Sequence, residues 1–390
     1  MDSRELLTQY RAITDRISTD PWTQPRDLAD HRRALSEIDL DAETYPDSFS
    51  YNYNADDPSA LDHLLAAFRQ QVQSSTGMGP VADLILDEID RQHLLVTGVQ
   101  AHNDAEFARV QRLLHPLPTD DTIAHARETL ATTSPAPAYS DASVTGEQLA
   151  HRMETALAAY DLSAWYVEIR PDMAAKASVN GPKHRVRVRA GQHFSTTAAD
   201  RLLAHEVGGH VLRWANSARQ VEPWAQVSMG STVATEEGLA VCREIELGCL
   251  DTATVRTYAA RCIAVSIAAT GGIMDVMRAI APHVGRQEAA EIAIRTKRGL
   301  QDPNAPGGAT KDGGYYAGLL TLDALRLSDP RDYQLLGSVK WPYAQLPLVR
   351  KLFEQERISL PELKPEEVKL GLDRPAVSSN LGTGLLPSKA

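Results

Sequence analysis

The segment Arg201–Trp214, RLLAHEVGGHVLRW, sets the hardest condition on how this chain can fold. It reads as one helical stretch carrying His205, Glu206 and His210. In the common zinc-protease pattern two histidines stand four residues apart, share a helix face and bind one metal. Here they stand five apart. Five residues of a regular helix turn about 500°, which leaves the two side chains about 140° apart and unable to share an ion. A local π-type widening, with about 4.4 residues per turn, brings them to within about 50°. Gly208-Gly209 lies inside the interval, and glycine weakens a regular helix while lowering the cost of such a distortion. The segment predicts a bulged helix that offers two imidazoles to one cation. Two histidines flanking an ordinary surface helix is the plain alternative.

The next helical stretch bears on that choice. Ser231–Cys242, STVATEEGLAVC, places Glu236-Glu237 near a helix start. Two helix histidines completed by a carboxylate from a following helix leave one zinc coordination position open. That is the mark of a catalytic rather than a structural site. Glu206 adjoins His205 on a different azimuth and suits a general base that takes a proton from water.

HEVGGH followed by TEEGLA resembles the microtubule-associated tyrosine carboxypeptidase family, whose bacterial members are labelled flavohemoglobin expression-modulating QEGLA-motif proteins. The resemblance implies zinc held by His205, His210 and Glu237, with Glu206 as catalytic base. Glu237 aligns with the glutamate of QEGLA, and Glu236 takes the glutamine position. Arg295-x-x-Arg298-Gly299 resembles the family's RVxRG segment, and Pro306–Tyr315 resembles its PGGxTKDxxY block. Pro46-x-x-Phe49-x-Tyr51 resembles an N-terminal NPxFxY-like signature loosely, with Tyr45 in the asparagine position. Gly313-Gly314 replaces bulkier apolar residues in the KDxxY block. A carboxypeptidase must hold a free α-carboxylate, a task for Arg295, Arg298 and Lys311. It must also stabilise an oxyanion, a task for the Tyr315 hydroxyl. Tyr316 stands one position off the motif.

The rest of the chain supplies the frame. Helical periodicity (Leu61, Leu64, Leu65, Phe68; Leu84, Ile85, Ile89, Leu94) predicts a helical N-terminal lobe over 1–131. The aromatic-rich stretch around Tyr45, Phe49, Tyr51 and Tyr53 reads as a loop that lines a cleft or pads a long connection. Pro/Ala/Ser-rich sequence predicts a linker over 132–145, then a catalytic lobe over 146–356 and a tail over 357–390. Alternation at Trp165, Val167 and Ile169 predicts a strand. In His184–Ala190, Arg185, Arg187 and Arg189 oppose Val186 and Val188, which predicts a solvated edge strand or an edge that pairs with an extended peptide. The expected fold class is α+β, mainly helical, with a small sheet and a cleft between the lobes.

Composition excludes several functions. Forty Lys+Arg against 51 Asp+Glu, a net charge of −11, argues against a general nucleic-acid binder. No apolar run approaches the ~18 residues of a membrane span. The charged start MDSRELLTQY lacks the apolar core of a secretory signal. Cys242, Cys249 and Cys262 form no disulfide framework, so a cytoplasmic protein with reduced thiols is expected. Cys242 lacks a basic partner, and PGGATKD lacks phosphate-loop spacing. His184, His193 and His283 have no ligand spacing, and Glu244 and Glu246 read as solvated helix faces.

These features predict a zinc metallopeptidase, most simply a carboxypeptidase acting on a peptide or protein with an accessible C-terminus. Two other readings remain open: an endopeptidase that matures a specific, possibly modified, peptide, and a metal-dependent regulatory protein without turnover.

Overall fold

The computed structural model describes residues 3–17, 20–52, 58–75, 78–134, 143–171, 173–229 and 232–373. Tyr53, most of the expected linker and the end of the expected tail lie outside the described residues. The fold is α+β and 63% helical, with five short strands. Among the described residues no helix is long and apolar enough to cross a membrane.

The strands are β1 (Ser143–Thr145), β2 (Tyr166–Arg170), β3 (Ala177–Asn180), β4 (Arg185–Arg189) and β5 (His193–Ser195). β1 pairs antiparallel with β5. A three-stranded sheet runs β2-β4-β3, with β2 parallel and β3 antiparallel to β4. The edge-strand expectation for 184–190 is therefore wrong, because β4 is paired on both sides. Val186 and Val188 point into the core as the alternation requires. The arginines opposite are neutralised within the fold. Arg185 pairs with Glu168 at 3.0 Å, and Arg189, only 3% exposed, pairs with Glu291 at 3.2 Å. Period-two alternation assigns faces of a strand, but it carries no information on how many neighbours the strand has.

Helices are started by local chemistry where the sequence offers it. Thr145 and Gln148 close a reciprocal capping box on the Gly146–Ala159 helix. Asp251 caps the Thr252–Ala268 helix by accepting from the Thr254 N–H at 2.7 Å. Beyond that helix lie Ile273–Val284, Arg286–Lys297 and Gly313–Ser328.

The hydrophobic clusters draw on both sides of the expected linker. One joins Leu28, Tyr45, Phe49, Tyr51, Ala126 and Leu130 to the helices of 252–297. Another joins Tyr10, Phe68 and Val81 to Trp224, Trp341 and Val349. A third packs the sheet and the Gly146–Ala159 helix against Leu203, Val207 and Val211. Of the two readings of the aromatic stretch, padding holds: Tyr45, Phe49 and Tyr51 are all buried. The Tyr51 hydroxyl donates to the Leu300 carbonyl and accepts from the Gly299 N–H, which fixes the turn after Arg298.

Candidate active site

The motif helix runs from Thr196 to Ser217, and its central nine residues, Leu203–Val211, are π-helical between two α-helical ends. That widening closes the angular gap. The rings of His205 and His210 lie 4.8 Å apart, nearly perpendicular. Gly209 has a further role that flexibility alone does not describe. A Cβ there would come within 2.9 Å of the Ala240 Cα, so glycine lets the Val233–Glu246 helix pack directly on the motif helix. Gly208 has more room, with its nearest neighbours at 3.4 Å. A second close approach, Gly238 against the Gly318 backbone, brings the Gly313–Ser328 helix alongside. Three helices thus converge through glycines, and their side chains meet at one point.

At that point stand His205, His210 and Glu237. The Glu237 Oε2 lies 3.4 Å from the His205 Nε2 and 3.5 Å from the His210 Nε2. Zinc ligands about 2.0–2.2 Å from a tetrahedral ion stand about 3.3–3.5 Å from one another, so the spacing suits a shared ion. The Glu237 Oε2 is buried and has no hydrogen-bond partner, a costly state that a cation would relieve. The outer ring nitrogens are occupied. The His205 Nδ1 meets Glu244 at 2.7 Å, and the His210 Nδ1 meets Glu236 at 3.0 Å. Such carboxylates fix the tautomer that leaves each Nε2 lone pair facing inward.

Electrostatics reinforces the arrangement. Burial alone would lower the His205 pKa, but contacts with Glu237 and Glu244 outweigh it and raise the value to about 10. For Glu237 burial works in the opposite sense, and the two histidines nonetheless hold it well below the usual carboxylate range. The pocket therefore favours added positive charge, as a proton or as a metal ion.

Glu236 and Glu237 have separate jobs. Glu237 faces the inner nitrogens, whereas Glu236 is bound by His210, Arg213 and Lys340. Glu244 corrects the sequence reading, which placed it on a solvated face. It is fully buried, bonded to His205, to the Tyr258 hydroxyl at 2.9 Å and to Arg201 at 3.4 Å. A signal for it existed. Glu237 and Glu244 stand seven apart, two turns on one helix face, so a carboxylate pointing inward at 237 implies another at 244. Glu246, by contrast, is exposed as expected and pairs with Arg243.

A cleft of about 710 Å³ opens beside the histidines, lined by His205, Glu206, Tyr315, Arg295 and the Thr252–Ala268 helix. Glu206 is 5% exposed and is the carboxylate that follows His205 into that cleft. The Tyr315 ring is parallel to that of His205 at 6.4 Å and stacks on Tyr258 at 5.5 Å. Burial and then the charge of Glu237 push its pKa well up, so the phenol stays a donor. Tyr316 turns away and is buried, with its hydroxyl on Thr129 and His125.

Residues 40–377 match the family described as microtubule-associated tyrosine carboxypeptidase. The chain belongs to that family. Microtubule-associated tyrosine carboxypeptidase 1 of Mus musculus is 31% identical over 148 residues, an alignment covering 35% of this chain and 30% of the relative. The protein of the same name from Rattus norvegicus matches to the same extent. The chain thus spans about a third of the length of these curated relatives.

Within this family member, the cationic residues expected to hold substrate are placed unequally. Arg295 lines the cleft but makes a bidentate pair with Asp312, at 2.6 and 2.9 Å. Arg298 approaches the same carboxylate at 3.8 Å. Lys311 lies 3.9 Å from the Glu237 Oε1, with its side chain 42% exposed. Two residues escaped the sequence reading altogether. Tyr258 and Arg261 share a face of the Thr252–Ala268 helix, and Arg261 stands over the rings of Tyr258 and Tyr315. Their spacing matches no motif. The three cysteines are buried and form no disulfide among the described residues, and burial pushes the Cys242 thiol well up, away from nucleophilic use. His184 packs against Trp165 and Trp214, and the His193 Nδ1 meets the Ser143 hydroxyl.

Proposed function

We propose that this protein is a zinc-dependent metallopeptidase that removes a C-terminal residue from a peptide or protein. The observation that carries the reading is the Glu237 Oε2, without a hydrogen-bond partner, 3.4 and 3.5 Å from two histidine Nε2 atoms, with Glu206 lining an open cleft alongside. His205, His210 and Glu237 would hold the ion. Zinc bound there supplies Lewis acidity, polarising a carbonyl and making water a better acid.

The chain's own groups supply the rest. Glu206 takes the proton of the attacking water and returns it to the leaving amine. Tyr315, held as a protonated phenol, donates to the oxyanion that develops on the scissile carbonyl. Glu244 and Glu236 keep both imidazoles oriented through the cycle. The curated relatives' name makes a C-terminal tyrosine the first residue to test.

The test is to incubate zinc-loaded protein with a C-terminally diverse peptide library and read product masses. Loss of single C-terminal residues is the expected result. Internal cuts would establish an endopeptidase instead, and absence of cleavage by zinc-replete protein would favour a metal-dependent binding role.

A further inference from the structure

Catalysis by the reading above needs one more element: a cation that accepts the substrate's terminal carboxylate. The cleft contains several cations, and most are already engaged. Arg295 is held on both sides of its fork by Asp312. Arg201 pairs with the buried Glu244, and Lys176 pairs with Glu288 at 3.3 Å. Arg256 donates to the backbone carbonyls of Leu130 and His283. A substrate carboxylate would have to break these contacts to bind, and would gain little by the exchange.

Arg261 differs from all of them. It lines the cleft, yet among the described residues no carboxylate forms an ion pair with it. Its Nε is buried and has no hydrogen-bond partner. Its guanidinium lies 5.0 Å from the Tyr315 ring centre and 5.6 Å from that of Tyr258. These contacts are with aromatic rings, so its planar fork can meet a planar anion in two parallel hydrogen bonds. Glu288 and Asp312 feel its charge, but neither forms an ion pair with it among the described residues.

Its position also suits the task. Tyr315 adjoins both ends of the site: the Arg261 guanidinium stands 5.0 Å from its ring centre, and the His205 ring centre lies 6.4 Å away on a parallel plane. Arg261, His205 and Glu206 line the same cleft.

We propose that Arg261 anchors the α-carboxylate of the substrate's last residue and so sets cleavage to one residue from the end. This rests on the carboxypeptidase reading, and it gives Arg261 the role that the RxxRG arginines were expected to fill. It expects a particular kinetic pattern: a loss of the preference for a free acid over an amide, read as a ratio within each variant.

The test uses full-length, zinc-loaded protein and one peptide ending in tyrosine, prepared as the free acid and as the amide. Wild type should favour the acid by about 30-fold or more in kcat/KM, the usual loss when a desolvated charge partner is removed. R261Q should reduce that acid-over-amide preference to within about threefold, chiefly through a higher KM for the acid. R261K keeps charge without the fork and should fall between. R261Q with wild-type acid preference would overturn the assignment while leaving the carboxypeptidase reading intact. If R261Q loses both activities, R261K decides: an unchanged acid preference overturns the role, and a reduced one supports it. Equal cleavage of acid and amide by wild type, or cleavage of neither, would instead overturn the carboxypeptidase reading itself.

Discussion

The two walls of the cleft are built in opposite ways. On the metal wall, each inner nitrogen has an outer carboxylate behind it, and those carboxylates are themselves held by Arg201, Tyr258, Arg213 and Lys340. Among the described residues, the carboxylate oxygens left without a partner there are the Glu237 Oε2, which faces both inner nitrogens, and the Glu244 Oε2. On the opposite wall most cations are also engaged, by Asp312, Glu288 or backbone carbonyls, but among the described residues Arg261 forms no ion pair and stands over the rings of Tyr258 and Tyr315. The contrast has a physical basis. A metal site needs positions defined to a few tenths of an ångström, so it is braced on all sides. A substrate anchor must leave hydrogen-bonding capacity unspent until the ligand arrives.

The sharpest way to break the comparison is to remove chemistry while keeping the brace. Glu206→Gln preserves shape and zinc, and should lower kcat about a thousandfold. Activity within a few-fold of wild type would mean that another group activates water. The next largest effect is expected from the brace itself. Glu244→Gln or Glu236→Gln should weaken zinc affinity about 10- to 100-fold, measured by competition with a chromogenic chelator. Affinity unchanged in both variants would show that the outer carboxylates neither orient nor tune the histidines.

A smaller and more selective test separates the paired glycines. Gly209→Ala forces a Cβ against Ala240 and should cost about 1–3 kcal/mol in urea unfolding, with weakened zinc binding. Gly208→Ala meets only ordinary contacts, and should be neutral or stabilising by up to about 1 kcal/mol. Equal behaviour of the two would refute the view that Gly209 is there for helix contact.

How much of this was legible depended on sequence distance. The bulged helix was readable because its two histidines and the glycines between them are local, and five-residue spacing allows few solutions. The third proposed ligand was less so, since residues alone left Glu236 and Glu237 open and the family motif chose between them. The structure explains why both are acidic: they serve opposite sides of the same imidazole pair. The arginine-rich strand shows the limit most clearly. Alternation gave the faces of β4, yet its central place depends on β2 and β3, which pair with it across loops. Arg261 was invisible for the same reason, because its meaning comes from Tyr315, which belongs to another helix.

A separate effect reports the burial and charge around His115. Burial, followed by the charges of Lys311, Arg91 and Arg298, lowers the His115 pKa to about 3. The fold therefore keeps this histidine neutral, whereas the unfolded chain protonates it near 6.5. Its contribution to stability is complete above that value and is lost as pH falls toward 3. His115→Gln should flatten the pH dependence of stability between about 6 and 4 by roughly one proton, or about 1.4 kcal/mol per pH unit. An unchanged slope in urea titrations would mean that His115 is not held neutral by its burial and cationic neighbours.

The central claim is that one zinc ion is shared by His205, His210 and Glu237. Elemental analysis of purified protein tests it most directly, alongside His205→Ala and Glu237→Gln. The expected result is about one zinc per wild-type chain and a sharp drop in each variant, with the fold retained by circular dichroism. Wild-type levels of zinc in His205→Ala, or full peptidase activity in a zinc-free protein, would contradict it.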